Sequence, residues 1–327
     1  MRLFVILFFA LSFCFSQDEK YQLSTVAFYN VENLFDTIDD PNNGWDESMT
    51  PKGKDKWTEK KYKTKIDNLS KVISGIGKET TNAHPTIVGL CEVENRNVLI
   101  DLVQSENLKD FNYGIVHFDS PDWRGIDVAL IFDSKRFIPR KAKTYPLEVE
   151  YKGNPSFSRD ILVVFGFLDK EPINFIVNHW PSRSGGQAES EPQRVKAAEV
   201  NKRIIDSIQN IDINAKIISM GDFNDHPDDK SLKILTSTYN KEDIQTPGMF
   251  NPMQELSKRG RASYLFRGFP SAIDQFVISN GLISKNSNLV YLKADVYMKR
   301  FLYTQEGRYR GYPARSMSWG VFNPNGY

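Results

Sequence analysis

Short apolar runs that stop abruptly on polar side chains set the pattern of this chain. Residues 23–30 (LSTVAFYN) predict a first strand that ends on Asn30, with Glu32 and Asn33 just beyond it. Residues 86–90 predict a second, running into Cys91, Glu92, Val93, Glu94 and Asn95. Residues 113–118 and 126–132 form a strand pair joined by a short polar loop. A further pair, 161–168 and 173–177, ends in Asn178, His179, Trp180 and Pro181. Ile217, Ile218 and Met220 then lead through Gly221 to Asp222, Asn224, Asp225 and His226, and a late strand at 273–278 starts with Ala272, Ile273, Asp274 and Gln275.

Elsewhere the apolar spacing becomes helical. Thr58 is placed as an N-cap with Glu59 in the first turn, and Tyr62, Ile66, Leu69, Ile73 and Ile76 follow on one face. A second helix is predicted over 192–208, opened by Pro192, with Val195, Ala198, Ile205 and Ile208 on its apolar side. Strand pairs at hairpin distance, mixed with helices between other strands, predict an α+β chain with mixed sheets rather than one parallel sheet. Residues 36–56 form a polar loop, and the absence of any low-complexity linker makes residues 17–327 a single domain.

Composition changes this picture mainly at the N-terminus. With 327 residues, 40% hydrophobic and 25% charged, the chain suits a globular protein with a large core. Met1 and Arg2 precede an unbroken apolar run over 3–15 and then Ser16, Gln17, Asp18 and Glu19, the make-up of a signal peptide cleaved near Ser16. Secretion or export to a periplasm is the expectation. Cys14 is disfavoured as a lipid anchor, because Phe13 stands where a small residue is wanted. Loss of residues 1–16 removes one Arg, leaving 41 basic against 41 acidic residues and Cys91 as the sole cysteine. The mature chain then has no intrachain disulfide, and its overall charge argues neither for nor against nucleic acid. No later apolar run approaches the roughly 18 residues of a membrane span.

Asn30, Glu92, His179, Asp222 with Asn224, and Asp274 all sit at or beside the end of an apolar run. Each alone has an ordinary explanation: an Asx turn, a solvated acid, a packed histidine. Their recurrence points to one site. Carboxylate and amide oxygens suit Mg²⁺, Mn²⁺ or Ca²⁺, whereas zinc would want more His and Cys. Cys91, in its apolar context, fits an inert buried thiol. The chain has no GxSxG elbow, GxxxxGK[ST] loop or HExxH helix.

Taken together, FYNVENLFD (28–36), IVGLCEVEN (87–95), RGIDVALIF (124–132), NHWPSRSGG (178–186), GDFND (221–225) and IDQFVIS (273–279) resemble the endonuclease/exonuclease/phosphatase superfamily, and most closely its secreted bacterial branch. The resemblance implies a four-layer sandwich of two packed mixed β-sheets flanked by helices, with the site at one end of the sheets. It implies that Glu92 ligates a divalent cation, Mg²⁺ or else Mn²⁺ or Ca²⁺, with Asn30 beside it. Asp222 and Asn224 would orient the attacking water and the phosphate, His179 would donate to a phosphate oxygen, and Asp274 would orient a catalytic histidine. Arg124 and Arg183 would contact substrate. Family members normally finish with a strand introduced by Ser-Asp-His, whereas this sequence stops at FNPNGY (322–327) with none of its four histidines nearby. The chain is therefore expected to lack its last strand.

The substrate expectation is nucleic acid, cut by in-line attack of water. Residues 52–65 carry seven Lys against two acids, and 293–315 carry six basic residues against two acids, interleaved with Tyr297, Phe301, Tyr303, Tyr309 and Tyr312. Basic and aromatic groups together suit a phosphate backbone with stackable bases, provided that the two stretches share a face. The alternatives are a lipid or inositol-phosphate phosphoesterase and a catalytically impaired phosphate-binding module. No protein partner is implied, and the chain is taken as a monomer.

Overall fold

Strands buried on both faces need cover on both, and that requirement sets the architecture. The computed structural model describes residues 22–327 apart from 42, 152, 267, 285, 286, 319 and 320, so the leader at 1–16 lies outside the described residues. In chain order the strands are β1 (Val26–Leu34), β2 (Ile87–Val93), β3 (Tyr113–His117), β4 (Asp127–Asp133), β5 (Phe137–Tyr151), β6 (Asn154–Leu168), β7 (Glu171–His179), β8 (Ile217–Asp222), β9 (Met249–Phe250), β10 (Tyr264–Phe266), β11 (Phe269–Ser271), β12 (Asp274–Ser279), β13 (Met317–Ser318) and β14 (Val321–Phe322). The helices are α1 (Glu59–Gly75), α2 (Lys78–Thr81), α3 (Arg96–Val103), α4 (Gln187–Gln209), α5 (Lys230–Leu235) and α6 (Met253–Lys258).

One sheet has the order β1-β2-β4-β3 and the other β5-β6-β7-β8-β12-β9. Within each, one neighbouring pair is parallel, β1 with β2 and β7 with β8, and the other pairings are antiparallel. Successive residues feed different cores. Ile87, Cys91, Val128 and Leu130 face Leu162, Val164, Phe175, Val177 and Met220 between the sheets. Val88, Leu90, Ala129 and Ile131 turn the other way, onto Tyr62, Ile66, Leu69 and Ile73 of α1 and Leu99 and Leu102 of α3. On the far side Val163, Ile176 and Ile217 pack against Ala197, Ala198, Ile204 and Ile205 of α4. Three apolar interfaces separate four layers, helix, sheet, sheet and helix, as the sequence led us to expect.

The α1 face is as predicted, and Thr58 caps it by accepting from the Lys61 amide. Three elements differ. The 15-residue β5 is absent from the sequence reading, because only Phe137 and Leu147 along it are buried; it is an edge strand studded with Lys, Arg, Glu and two prolines. After β2, where the sequence pattern assigned no element, the chain turns into α3, capped by Asn95, whose side-chain oxygen accepts from the amides of Asn97 and Val98. Helix α4 begins at Gln187, beyond Gly186, so Pro192 lies inside it rather than opening it and removes one backbone bond to the preceding turn.

Candidate active site

The strand directions explain how the polar groups meet. Parallel strands bring their C-terminal ends together, and antiparallel neighbours bring their N-terminal ends to the same edge. In the second sheet His179 at the end of β7 and Asp274 at the start of β12 flank Asp222 at the end of β8, both in direct register with it. In the first sheet Asn30 of β1 pairs with Cys91, next to Glu92, in β2. Asn30 Nδ2 donates to Glu92 Oε1 of the same sheet at 3.3 Å and, across the seam between the sheets, to Asp222 Oδ2 at 3.2 Å. His179 Nε2 lies 3.8 Å from Glu92 Oε1 and 4.0 Å from Asp222 Oδ2.

Backbone irregularity aims these side chains. The β1–β2 register shifts between Asn30 and Leu34, and the β2–β4 register between Cys91 and Val93. At these bulges Glu32, Asn33 and Glu92 take left-handed conformations with φ of 52°, 55° and 63°, and Asn224 does so after β8 with φ of 52°. Such non-glycine conformations cost about 1–3 kcal/mol each and persist where their surroundings over-determine them. Here Asn30 Oδ1 accepts from the Glu32 amide and Glu92 Oε2 from the Asn33 amide, both at 2.9 Å. The Asn224 amide donates to Asp222 Oδ1 at 2.9 Å, and its side-chain nitrogen to the Trp180 carbonyl at 3.0 Å. Gly221 is required by close approach, because a Cβ there would stand 2.3 Å from the Asn178 carbonyl oxygen.

The site is buried and rich in acid. Burial, then the neighbouring Asp274 carboxylate, pushes the Asp222 pKa well above the usual carboxylate range. Burial raises Asp274 to about 6. Burial together with the guanidiniums of Arg159 and Arg124 pulls His179 well below its ordinary value, so the imidazole is neutral near pH 7. Two buried atoms in the cluster, His179 Nδ1 and Asp274 Oδ1, have no hydrogen-bond partner among the described residues. The thiol of Cys91, buried and pushed up by that burial, behaves as the sequence suggested.

The two arginines picked from sequence have different surroundings. Arg124 approaches the cluster from the loop before β4, with its Nε 3.7 Å from Asp122. Arg183 holds the GDFND loop: its Nε donates to the Asn224 carbonyl at 2.6 Å, and its Nη2 to Asp225 at 3.3 Å and Asp229 at 2.9 Å. Asn30, expected beside the cation, presents its amide nitrogen to the two carboxylates and braces them.

Several contributors escaped the sequence reading. Arg159 Nη2 donates to the Trp180 carbonyl at 2.7 Å and Nη1 to Asp122 at 3.2 Å, behind His179. It stands just before the apolar part of β6, so the strand-end rule extended to strand beginnings would have found it. Lys65, wholly buried in α1, reaches the bulge in β1, and burial lowers its ammonium to about 8. Nothing in its helical context marks it out. A separate group, His117, Asp119 and Asp127, has donor atoms within 4.8 Å of one another. There His117 Nε2 is 3.1 Å from Asp127, which also accepts from the Ser120 amide.

The model of the Endonuclease/Exonuclease/phosphatase family matches residues 25–326. No curated protein matches the chain. Among solved structures, truncated Caenorhabditis elegans TDP2 is 16% identical over 67% of this chain and 79% of its own, with a TM-score of 0.44. The human nocturnin catalytic domain with bound sulfate is 16% identical over 68% and 83%, TM-score 0.46. A Bacteroides thetaiotaomicron mannosyl-6-phosphatase is 16% identical over 79% and 86%, TM-score 0.48. The family match spans the strand ends that build the site and nearly all of the described chain, and on it the chain belongs to the endonuclease/exonuclease/phosphatase family, whose members hydrolyse phosphoesters.

Proposed function

We propose that this protein is a divalent-metal-dependent phosphodiester hydrolase whose substrate is nucleic acid. The observation that carries the reading is the meeting of Asn30, Glu92, His179 and Asp222 across the seam of the two sheets. The donor set suits a hard cation: the carboxyl groups of Glu92, Asp222 and Asp274 are near enough to act on one another electrostatically, the last two have raised proton affinity, and among the described residues a buried Asp274 oxygen has no hydrogen-bond partner. Glu92 would hold the ion, with Asn30 fixing its carboxylate. Bound there, Mg²⁺, Mn²⁺ or Ca²⁺ would neutralise charge on a phosphate oxygen.

The chain's own groups do the rest. Asp222 and Asn224 orient a water for in-line attack; the new bond forms from water oxygen to phosphorus as the ester P–O bond opposite it breaks, the water gives up a proton to solvent, and the leaving oxygen takes up one from solvent. Neutral His179 donates to a non-bridging oxygen, and Arg124 meets the charge that develops there. Asp274 faces this centre from β12, and none of the four histidines is among its hydrogen-bond partners in the described residues.

Support for nucleic acid comes from the surface. The segment that carries the second basic stretch continues along α1, into which the first one runs: the Lys71 ammonium stands 5.3 Å from the Phe301 ring centroid and 5.8 Å from that of Tyr327, and Lys61 5.9 Å from Phe322. Asn68 ties the same helix to the Pro324 carbonyl at 2.9 Å. We take residues 17–327 as one catalytic domain, monomeric, and exported on the strength of residues 1–16. The test is to incubate the purified protein with plasmid DNA, RNA, sphingomyelin and a sugar phosphate, in EDTA and in Mg²⁺. Cleavage of nucleic acid only with Mg²⁺, lost in Glu92→Gln, is expected. Uncut nucleic acid alongside hydrolysis of another substrate would overturn the substrate, and equal turnover in EDTA would overturn the metal.

A further inference from the structure

Next to these groups lies a buried cation that the proposed chemistry leaves unused. Lys65 is 0% exposed, and its ammonium donates to the main-chain oxygens of Glu32 and, at 3.1 Å, Asn33. These are the two left-handed residues of the β1 bulge. The bulge in turn holds both oxygens of Glu92: Asn30 at its start donates to Oε1 at 3.3 Å, and the Asn33 amide donates to Oε2 at 2.9 Å. Glu92 is itself left-handed, with φ of 63°, so the direction of its side chain depends on a backbone that has little preference for that shape.

A plain packing role does not account for the choice of lysine. Lys65 is buried on the α1 face that carries Tyr62, Ile66 and Leu69, its ammonium 5.8 Å from the Trp57 ring centroid, and a Met or Leu there would pack against the same ring without the desolvation of an ammonium. The nearby Glu32 carboxylate does not need Lys65 as its partner either, because Arg315 Nε donates to it at 2.6 Å and the Ser316 amide at 3.2 Å. What an ammonium alone supplies is a multiple donor that can clamp two carbonyls of one strained turn.

We infer that Lys65 is a positioning residue for the Glu92 carboxylate, acting through the β1 bulge: it clamps the Glu32 and Asn33 carbonyls so that Asn30 and the Asn33 amide present fixed donors to Glu92. The inference rests on the reading of Glu92 as the cation ligand. It is tested by calorimetric titration of Mn²⁺ into the wild-type protein, Lys65→Met, Lys65→Gln and Glu92→Gln, with urea unfolding of each metal-free protein as the measure of folding. We expect Lys65→Met to unfold cooperatively and to bind Mn²⁺ about 10–100-fold more weakly, the usual effect of removing a group that orients a ligand. Lys65→Gln, which keeps a neutral but shorter donor, should also bind more weakly, and it decides the matter if the Met variant does not fold. A purely structural lysine would lower the urea midpoint and leave the Mn²⁺ Kd unchanged, and that result overturns the inference. Wild-type Mn²⁺ binding by Glu92→Gln would instead remove the ligand assignment beneath it, a failure distinguishable from the first.

Discussion

Asp225→Asn tests whether the loop after β8 is held by a buried charge pair. Asp225 is 1% exposed, and its carboxylate lies 2.7 Å from Arg194 Nε and 3.3 Å from Arg183 Nη2, with Ser231 Oγ donating at 2.6 Å and Gln187 at 3.1 Å. Arg183 keeps Asp229 as a second acid. Arg194, 0% exposed, otherwise reaches only neutral acceptors among its described contacts, Ser190 Oγ at 2.8 Å and the carbonyls of Gln187 at 3.2 Å and Ser182 at 3.4 Å. Neutralising Asp225 thus leaves one buried guanidinium uncompensated, which costs ~3–5 kcal/mol. The remaining Asn oxygen can still accept a bond, so the lower end, ~3 kcal/mol, is the expected loss. With a urea slope of ~3 kcal/mol per molar, the unfolding midpoint falls by about 1 M. Adding Arg194→Met removes the stranded charge and should recover at least half of the loss. A double variant no more stable than Asp225→Asn alone would refute the reasoning, because the cost would then lie in lost hydrogen bonds rather than in charge.

Glu94 sits among Asp36, Asp40 and Asp46, and burial with that company raises its pKa to about 8. A carboxyl with a raised folded value contributes stability that is complete below its ordinary value of 4.5 and lost as pH rises through 8. Urea midpoints measured in EDTA should therefore decline across that window, and Glu94→Gln should flatten the decline. Gly221→Ala drives a methyl against the Asn178 carbonyl, a cost of ~1–3 kcal/mol for overpacking; because Asp222 follows directly, hydrolysis should fall further than the loss of folded protein accounts for. Glu92→Gln should lower turnover and Mg²⁺ dependence together, and unchanged turnover at limiting Mg²⁺ would remove its role.

The layers were legible because they depend on apolar periodicity, and much of the candidate site because Glu92, His179, Asp222 and Asp274 lie at or beside strand ends; Asn30, read as the last residue of its strand, instead sits inside β1, which runs on to Leu34. What stayed hidden was whatever depends on partners distant in the chain. Lys65 is one lysine among seven in its stretch until α1 packs on the β1 bulge. Arg183 looks like a substrate contact until Asp225 and Asp229 are seen to surround it. The bulges themselves are invisible as well, since left-handed Glu32 and Glu92 are not residues that local preference would choose for such a backbone, and Asn33 alone is a weak sign of one.

The bond from Asn30 to Asp222 joins residues 192 positions apart and belongs to two different sheets. Contacts of such sequence separation close late, after the loops between them have been ordered. No half-folded form of this chain, and neither sheet alone, holds the constellation, so hydrolysis would be a readout of completed assembly: during refolding it would return with the joining of the sheets, not with the first recovery of helix or strand.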